Sequence, residues 1–341
     1  MDTAFFLISL LNGLSTGLLL FMLASGLTLI FSMMGVLNFA HASFYMLGAY
    51  IAYTITQVLG FWWGLVLAPP LVGLLGAGFE RYALRRVHKF GHVPELLITF
   101  GLSYIVLELV ALVWGRQSLN FAPPAGLQGP LFTVVDLPAS LGLAWGAPPA
   151  LCQTVAGASC TQFPAFRAFG MGVALLMLVS VWLLLTRTRI GLVIQASLTH
   201  PDAVQALGHN VPRVFMLVFG GGTALAGLAG VIGGVLRVTE PSMAQAVGAV
   251  VFAVIVIGGM GSLAGAFVAS IALGIIDSFA VSSDRSLADL FAWAGLKLGP
   301  DSFGMAVWTV KTSQIAAMLP YLLLVLVLVF RPKGLFGTRE G

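Results

Sequence analysis

Lysine and arginine are missing from the first 79 residues, and Asp2 is the only formal charge there. A water-soluble stretch of that length would carry many charges, because about a quarter of the residues in an ordinary domain are charged. Charge stays scarce over all 341 residues: 8% charged against 59% hydrophobic, with a mean hydropathy of +1.02. So few charges cannot cover the surface of a soluble fold of this size. Other absences narrow the chemistry. Lys89, Lys297, Lys311 and Lys333 all stand outside any G-x-x-x-x-G-K-[ST] phosphate loop. No His/Cys/Asp set has metal-ligand spacing, and neither G-x-S-x-G nor H-E-x-x-H occurs. The longest polar or mixed stretch is about 50 residues, too short for an independent nucleotide-binding domain. An enzyme is therefore left without a catalytic set, and uphill transport would need an ion gradient or a separate ATPase.

What is present is a series of continuous apolar runs of ~20 residues, the length an α-helix needs to cross ~30 Å of hydrocarbon. A β-barrel would instead alternate over ~10-residue segments. The fold class expected is an all-α polytopic membrane protein, a single transmembrane domain over 1–341. Spans are expected at 5–33, 38–57, 61–79, 96–115, 166–186, 214–236, 247–259, 263–281 and 314–330. The run 247–281, broken by Gly258, Gly259, Gly261 and Gly265, crosses once or twice, so the total is eight or nine. The start lacks a cationic n-region and its apolar run is too long for a signal peptide.

Lys and Arg in short loops set orientation. They fall at 80–95, at 187–213 and in the tail with Arg331, Lys333 and Arg339, all expected to be cytoplasmic. A double crossing by 247–281 keeps the loop parity and puts the amino terminus outside. The loops 116–165 and 282–313 then lie on the extracytoplasmic side. The first is rich in proline (Pro123, Pro124, Pro130, Pro138, Pro148, Pro149, Pro164) and reads as an ordered coil with at most one short helix. It holds both cysteines, Cys152 and Cys160, which either form a disulfide that pins the loop or stay free; spacing alone leaves both open.

Four features bear on mechanism. Gly222, Ala226, Gly230 and Gly234 recur every four residues, the spacing that lets helix backbones approach closely in lipid. Asn38, His41 and Ser43 bring polar groups deep between two apolar runs, where they either bond between helices or mark an unwound half-helix beside a polar pathway. Glu108 and Asp277 are further intramembrane acids, too few for a proton relay. In the loop 187–213, Pro201 suits a first helical turn, Asp202 the positive helix end and Gly208 a stop. With Ala203, Val204 and Leu207 this makes a short helix with an apolar edge, fit either to lie on the membrane or to dock into a partner's groove.

At these residues the chain resembles the LivH-type permeases of branched-chain amino acid ABC importers. The matching pieces run in order: Asn12-Gly13, Asn38-Phe-Ala-His41, Met46-Leu-Gly-Ala-Tyr50, Glu80-Arg81, Arg189-Ile-Gly191, Ala206-Leu-Gly208-His-Asn210, Ala226-Gly-Leu-Ala-Gly230, Gly258-Gly-Met-Gly-Ser262 and Arg331-Pro-Lys-Gly-Leu-Phe336. The resemblance implies a type II ABC importer-like permease fold in the bacterial inner membrane. It implies pairing with a second, LivM-like permease or with a copy of itself, a periplasmic substrate-binding protein, and two cytoplasmic ATPases that bind the ATP and Mg, so that no cofactor is held by this chain. Pro201 to Gly208 would be the coupling helix, and Asn38, His41 and Ser43 would line the translocation pathway. The cargo stays open among branched-chain and other amino acids, urea, amides and aromatic acids. An ion-coupled transporter or channel acting alone is the rival.

Overall fold

The computed structural model describes residues 3–137, 140–148, 152, 159–199, 201–286, 288–289, 292 and 308–337. Its main helices are α1 (Thr3–Met34), α2 (His41–Leu59), α3 (Phe61–Phe79), α4 (His92–Trp114), α5 (Ala165–Arg187), α6 (Arg189–Thr199), α7 (Pro201–Ala206), α8 (Val211–Leu236), α9 (Met243–Gly258), α10 (Leu263–Ser282) and α11 (Leu319–Phe330). Seven runs are long and apolar enough to cross a membrane: Thr3–Met34, Phe61–His88, His92–Trp114, Ala165–Arg187, Val211–Leu236, Leu263–Ser282 and Thr312–Phe330. Reaching eight or nine requires α2, diluted by His41, Ser43, Thr54, Thr56 and Gln57, and the 16-residue α9. The chain is a multi-pass membrane protein.

α8 is the axis of the bundle and packs on α1, α2 and α3. Its small residues make this possible. A Cβ on Gly222 would lie 2.7 Å from the Gly26 carbonyl oxygen of α1, and one on Gly230 would run into the Tyr45 carbonyl of α2. Ala226 is fully buried, and Gly234 faces Ala49. On the far side of α1, Gly13 and Gly17 meet the backbone of α10. Without water to drive apolar faces together, such backbone contact is what holds helices in lipid.

Two connections differ from the sequence expectation. The stretch 80–95 is largely helix: α3 continues through a π-helical turn, Glu80–Leu84, into Arg85–His88, and residues 89–91 turn into α4. Charge neutralisation allows it. Glu80 is buried and accepts from Arg85 at 3.0 and 2.5 Å, and Arg85 also donates to the Pro212 carbonyl at 2.6 Å, tying α3 to the start of α8. The second difference corrects the coil expected over 116–165, and with it the strictly all-α class. Strands β1 (Pro130–Leu137), β2 (Ser140–Trp145) and β3 (Ser159–Pro164) form an antiparallel sheet in the order β2-β1-β3. Val134 and Phe163 bury against Ala4 and Ile8 of α1, so the sheet sits over one end of α1 and α5. The run Phe132-Thr-Val-Val135 carried the strand signal, but the surrounding prolines and glycines outweighed it.

Cys152 and Cys160, the latter in β3, are joined in a disulfide. Alkylation of the unreduced protein is expected to label neither thiol, and reduction to expose both; labelling before reduction would contradict the bond. Most of 282–313 lies outside the described residues.

The ambiguous run 247–281 is a pair of helices. α9 ends at Gly259, whose φ of 101° reverses the chain, and Ser262 caps α10 by accepting from the Gly265 N–H at 3.0 Å. Ser32, near the end of α1, donates to the Gly261 carbonyl at 2.9 Å, and the segment 331–336 returns here: the Leu335 and Phe336 N–H groups donate to the Ile257 and Gly258 carbonyls at 2.8 and 3.0 Å. At the other end the Leu119 N–H donates to the Thr239 carbonyl at 2.8 Å, and Ser278 donates to the Ser9 carbonyl at 2.8 Å. The α9–α10 turn therefore shares an end with Arg85, Pro212 and the segment 331–336.

Candidate functional site

α1 stops at Met34, and residues 35–40 are not helical. α2 then starts at His41, whose Nε2–H donates to the Leu23 carbonyl of α1 at 3.0 Å. Leu23 lies about three turns back from Met34, about 16 Å along the axis, a distance that six non-helical residues at ~3.3 Å each can cover. The chain has doubled back, so the first turn of α2 stands well inside the thickness of the bundle.

Polar groups concentrate at this interruption. Asn38 is 3% exposed; its Oδ1 accepts from the Ala40 N–H at 3.0 Å, and its Nδ2 has no partner. His41 is 1% exposed; with Nε2 donating, Nδ1 carries the lone pair of the neutral ring and is also unpartnered. Ser43 reaches the Ser103 carbonyl only at 3.5 Å, a weak bond. Leaving such groups unpaired costs about 1–3 kcal/mol each, so this region is poor as a purely structural polar network.

Asn38, His41 and Ser43 line one cavity of about 410 Å³, between α2, α4, α9 and α11. Aromatic rings supply much of the rest of its wall: Phe39, Phe100, Tyr104, Phe252 and Tyr321. Phe39, on the non-helical segment, stacks near Phe252 of α9 and meets Phe100 of α4 edge-on, both with centroids 6.4 Å away. Among the described residues, no charged side chain lines the cavity. These rings are not recognisable as a set in the sequence, because they come from four separate segments.

Next to it, a smaller cavity of about 150 Å³ is lined by Gly35, Val36, Leu37, His92, Glu95 and Leu96. Glu95 is buried and holds two histidines, His88 in close contact and His92 at 3.3 Å. The expected loop 80–95 contains His88, His92 and Glu95, and the turn at residues 89–91 separates His88 from the helix that carries His92 and Glu95. Glu108 has a half-exposed side chain and binds Arg116 at 2.8 Å, just past the end of its own helix and not on a neighbouring one.

The loop 187–213 holds two helices, of which only α7 was anticipated. α6 tucks in at Gly191, where any side chain would strike the carbonyls of Leu184 and Leu185, and buries Ile194 and Ser197. α7 begins at Pro201 and ends through Gly208, with φ of 88°. Val204 is 5% exposed and anchors α7, whereas Asp202 and Ala203 are exposed and Leu207 is 79% exposed. The apolar edge is thus split: one residue points in, two point out.

Comparison with known proteins places this architecture. Residues 9–328 match the family model described as branched-chain amino acid transport system / permease component. The chain is similar to the high-affinity branched-chain amino acid transport system permease protein BraD of Pseudomonas aeruginosa, at 26% identity over 98% of this chain and 97% of the relative. Its similarity to the permease LivH of Escherichia coli K12 is also 26%, over the same shares. The probable permease LivH of Methanocaldococcus jannaschii is 28% identical over 76% of each chain. With the family model covering all but the two termini, this chain belongs to the family of branched-chain amino acid transport permeases.

Proposed function

We propose that this chain is a permease subunit of an ATP-driven importer that carries branched-chain amino acids, or close relatives, across the bacterial inner membrane by alternating access. The observation that carries the reading is the start of α2 deep within the bundle, which brings unpaired Asn38 and His41 to a cavity walled by aromatic rings. Such a wall suits an apolar side chain, and its polar floor suits the polar end of an amino acid. The names of the relatives support the cargo class. A second permease subunit, either a copy or a LivM-like chain, closes the pathway. A periplasmic binding protein delivers the cargo, and two cytoplasmic ATPases bind ATP and Mg. The loop around α7 is the contact through which they act: Val204 fixes the helix to the bundle while Ala203 and Leu207 face outward.

The test is reconstitution in proteoliposomes with the candidate ATPases and binding protein. Leucine uptake is expected only with ATP. Uptake by the purified permease alone, driven by an ion gradient, would overturn the reading and favour the ion-coupled rival. Glu108 is engaged by Arg116 and does not line the cavity, so Glu108→Gln is expected to leave ATP-driven uptake largely unchanged.

A further inference from the structure

We infer that the N-terminus of α2, together with Asn38 Nδ2, is a carboxylate-binding subsite within the large cavity. This rests on the transport reading and adds which end of the cargo is held, and by what. α2 has 19 residues; its N-cap residue, Ala40, offers no capping side chain, and the side chain bonded there is that of Asn38. Of the first N–H groups of α2, those of His41 and Ser43 donate to the Asn38 and Ala40 carbonyls at 3.1 and 2.9 Å, which leaves that of Ala42; the terminus carries the partial positive charge of the helix dipole, equivalent to roughly half an elementary charge, and such termini bind anions. Here the terminus lies within the bundle beside a cavity without charged side chains, where its field is poorly screened. The Asn38 carboxamide is locked in place by its Oδ1, which accepts from the Ala40 N–H, so its buried Nδ2 is left as a donor at the same terminus with nothing to bond. Dipole and donor favour the same ligand charge. With no lysine or arginine to add a full charge, the carboxylate is held weakly enough to leave, as transport demands. Phe39, Phe100 and Phe252 then receive the apolar side chain.

The experiment uses the assembled permease with its ATPases. Both native cysteines are in the disulfide, so Ser103→Cys puts a single free thiol of this chain at the cavity wall. Its alkylation by a neutral maleimide is followed by mass spectrometry. Four probes are compared: leucine, 4-methylpentanoate (leucine without its amine), isoamylamine (leucine without its carboxylate) and leucinamide. Leucine and 4-methylpentanoate are expected to slow alkylation at least fivefold, and isoamylamine and leucinamide less than twofold. Asn38→Asp preserves the oxygen that caps Ala40 but sets a negative charge against the bound group. It is expected to raise the half-protecting concentration of 4-methylpentanoate at least tenfold without raising that of isoamylamine. A merely structural Asn38 would shift both probes alike. Equal protection by acid and amine, or an unchanged acid response in Asn38→Asp, overturns the subsite. Protection by none of the probes also overturns it, and removes the cavity from the pathway. ATP-dependent leucine uptake by the wild-type complex tests the transport reading separately.

Discussion

Replacing Leu207 and Ala203 together by aspartate is expected to reduce ATP-driven uptake about 100-fold or more while leaving the permease folded. Leu207 is among the most exposed large apolar residues of the chain, and Ala203 lies one turn before it. Burying a leucine in a partner's groove contributes about 1.5–3 kcal/mol, and each 1.36 kcal/mol is roughly tenfold in a rate or equilibrium. Losing that burial, and forcing two carboxylates toward an apolar groove, removes at least two decades of productive coupling. The permease does not depend on these side chains, because neither is in its core. Its thermal midpoint should move little, whereas co-purification of the ATPases should be lost. Val204→Asp provides the contrast: its side chain is buried, so it should loosen the loop itself and lower the midpoint. Uptake that survives the double substitution would refute the role given to α7.

Gly222→Leu and Gly221→Leu, adjacent in sequence, are expected to behave in opposite ways. A Cβ at 222 meets the Gly26 carbonyl oxygen and the Ile30 side chain at 2.7 Å, whereas one at 221 meets nothing within 4 Å. The carbonyl belongs to helix backbone and cannot step aside, so α8 and α1 must separate along their shared face. Overpacking of this kind costs on the order of 3 kcal/mol, or roughly 4 °C of thermal midpoint for a chain of this size. Gly221→Leu only adds an apolar group to the exposed face and should leave the midpoint within about 2 °C of wild type, consistent with surface effects of about 0.5 kcal/mol. Equal midpoints for the two variants would show that backbone contact at Gly222 does not hold the bundle together.

Much of this architecture was legible in the sequence because membrane burial speaks through long, simple runs. The scarcity of charge gave the class, the run lengths gave most helices within a few residues, and the four-residue stripe Gly222, Ala226, Gly230, Gly234 lies where α8 meets its neighbours. Pro201 and Gly208 bounded α7 because a fixed φ and a positive φ leave few other residues to choose from. What was missed has a common cause: it depends on partners distant in the chain. Glu80 reads as the start of a loop until Arg85 and the Pro212 carbonyl neutralise and anchor it inside a continuing helix. The sheet of residues 130–164 gains its hydrophobic backing from Ala4 and Ile8 of α1, so its own proline-rich composition pointed the wrong way. Asn38, His41 and Ser43 were visible as misplaced polar residues. The rings that complete their cavity were not, since Phe100, Phe252 and Tyr321 are ordinary apolar residues of ordinary spans.

The strap formed by Leu335 and Phe336 has a consequence for biosynthesis. The last carbonyls of a helix have no partners within it, and those of Ile257 and Gly258 find theirs in residues translated more than seventy positions later. Until the ribosome has released that stretch, the mouth of the α9–α10 hairpin must rely on water or on a chaperone. A stop codon just after Phe330 would leave every long helix intact and still strand the nascent chain one clasp short of closure, a species that membrane quality control is equipped to notice.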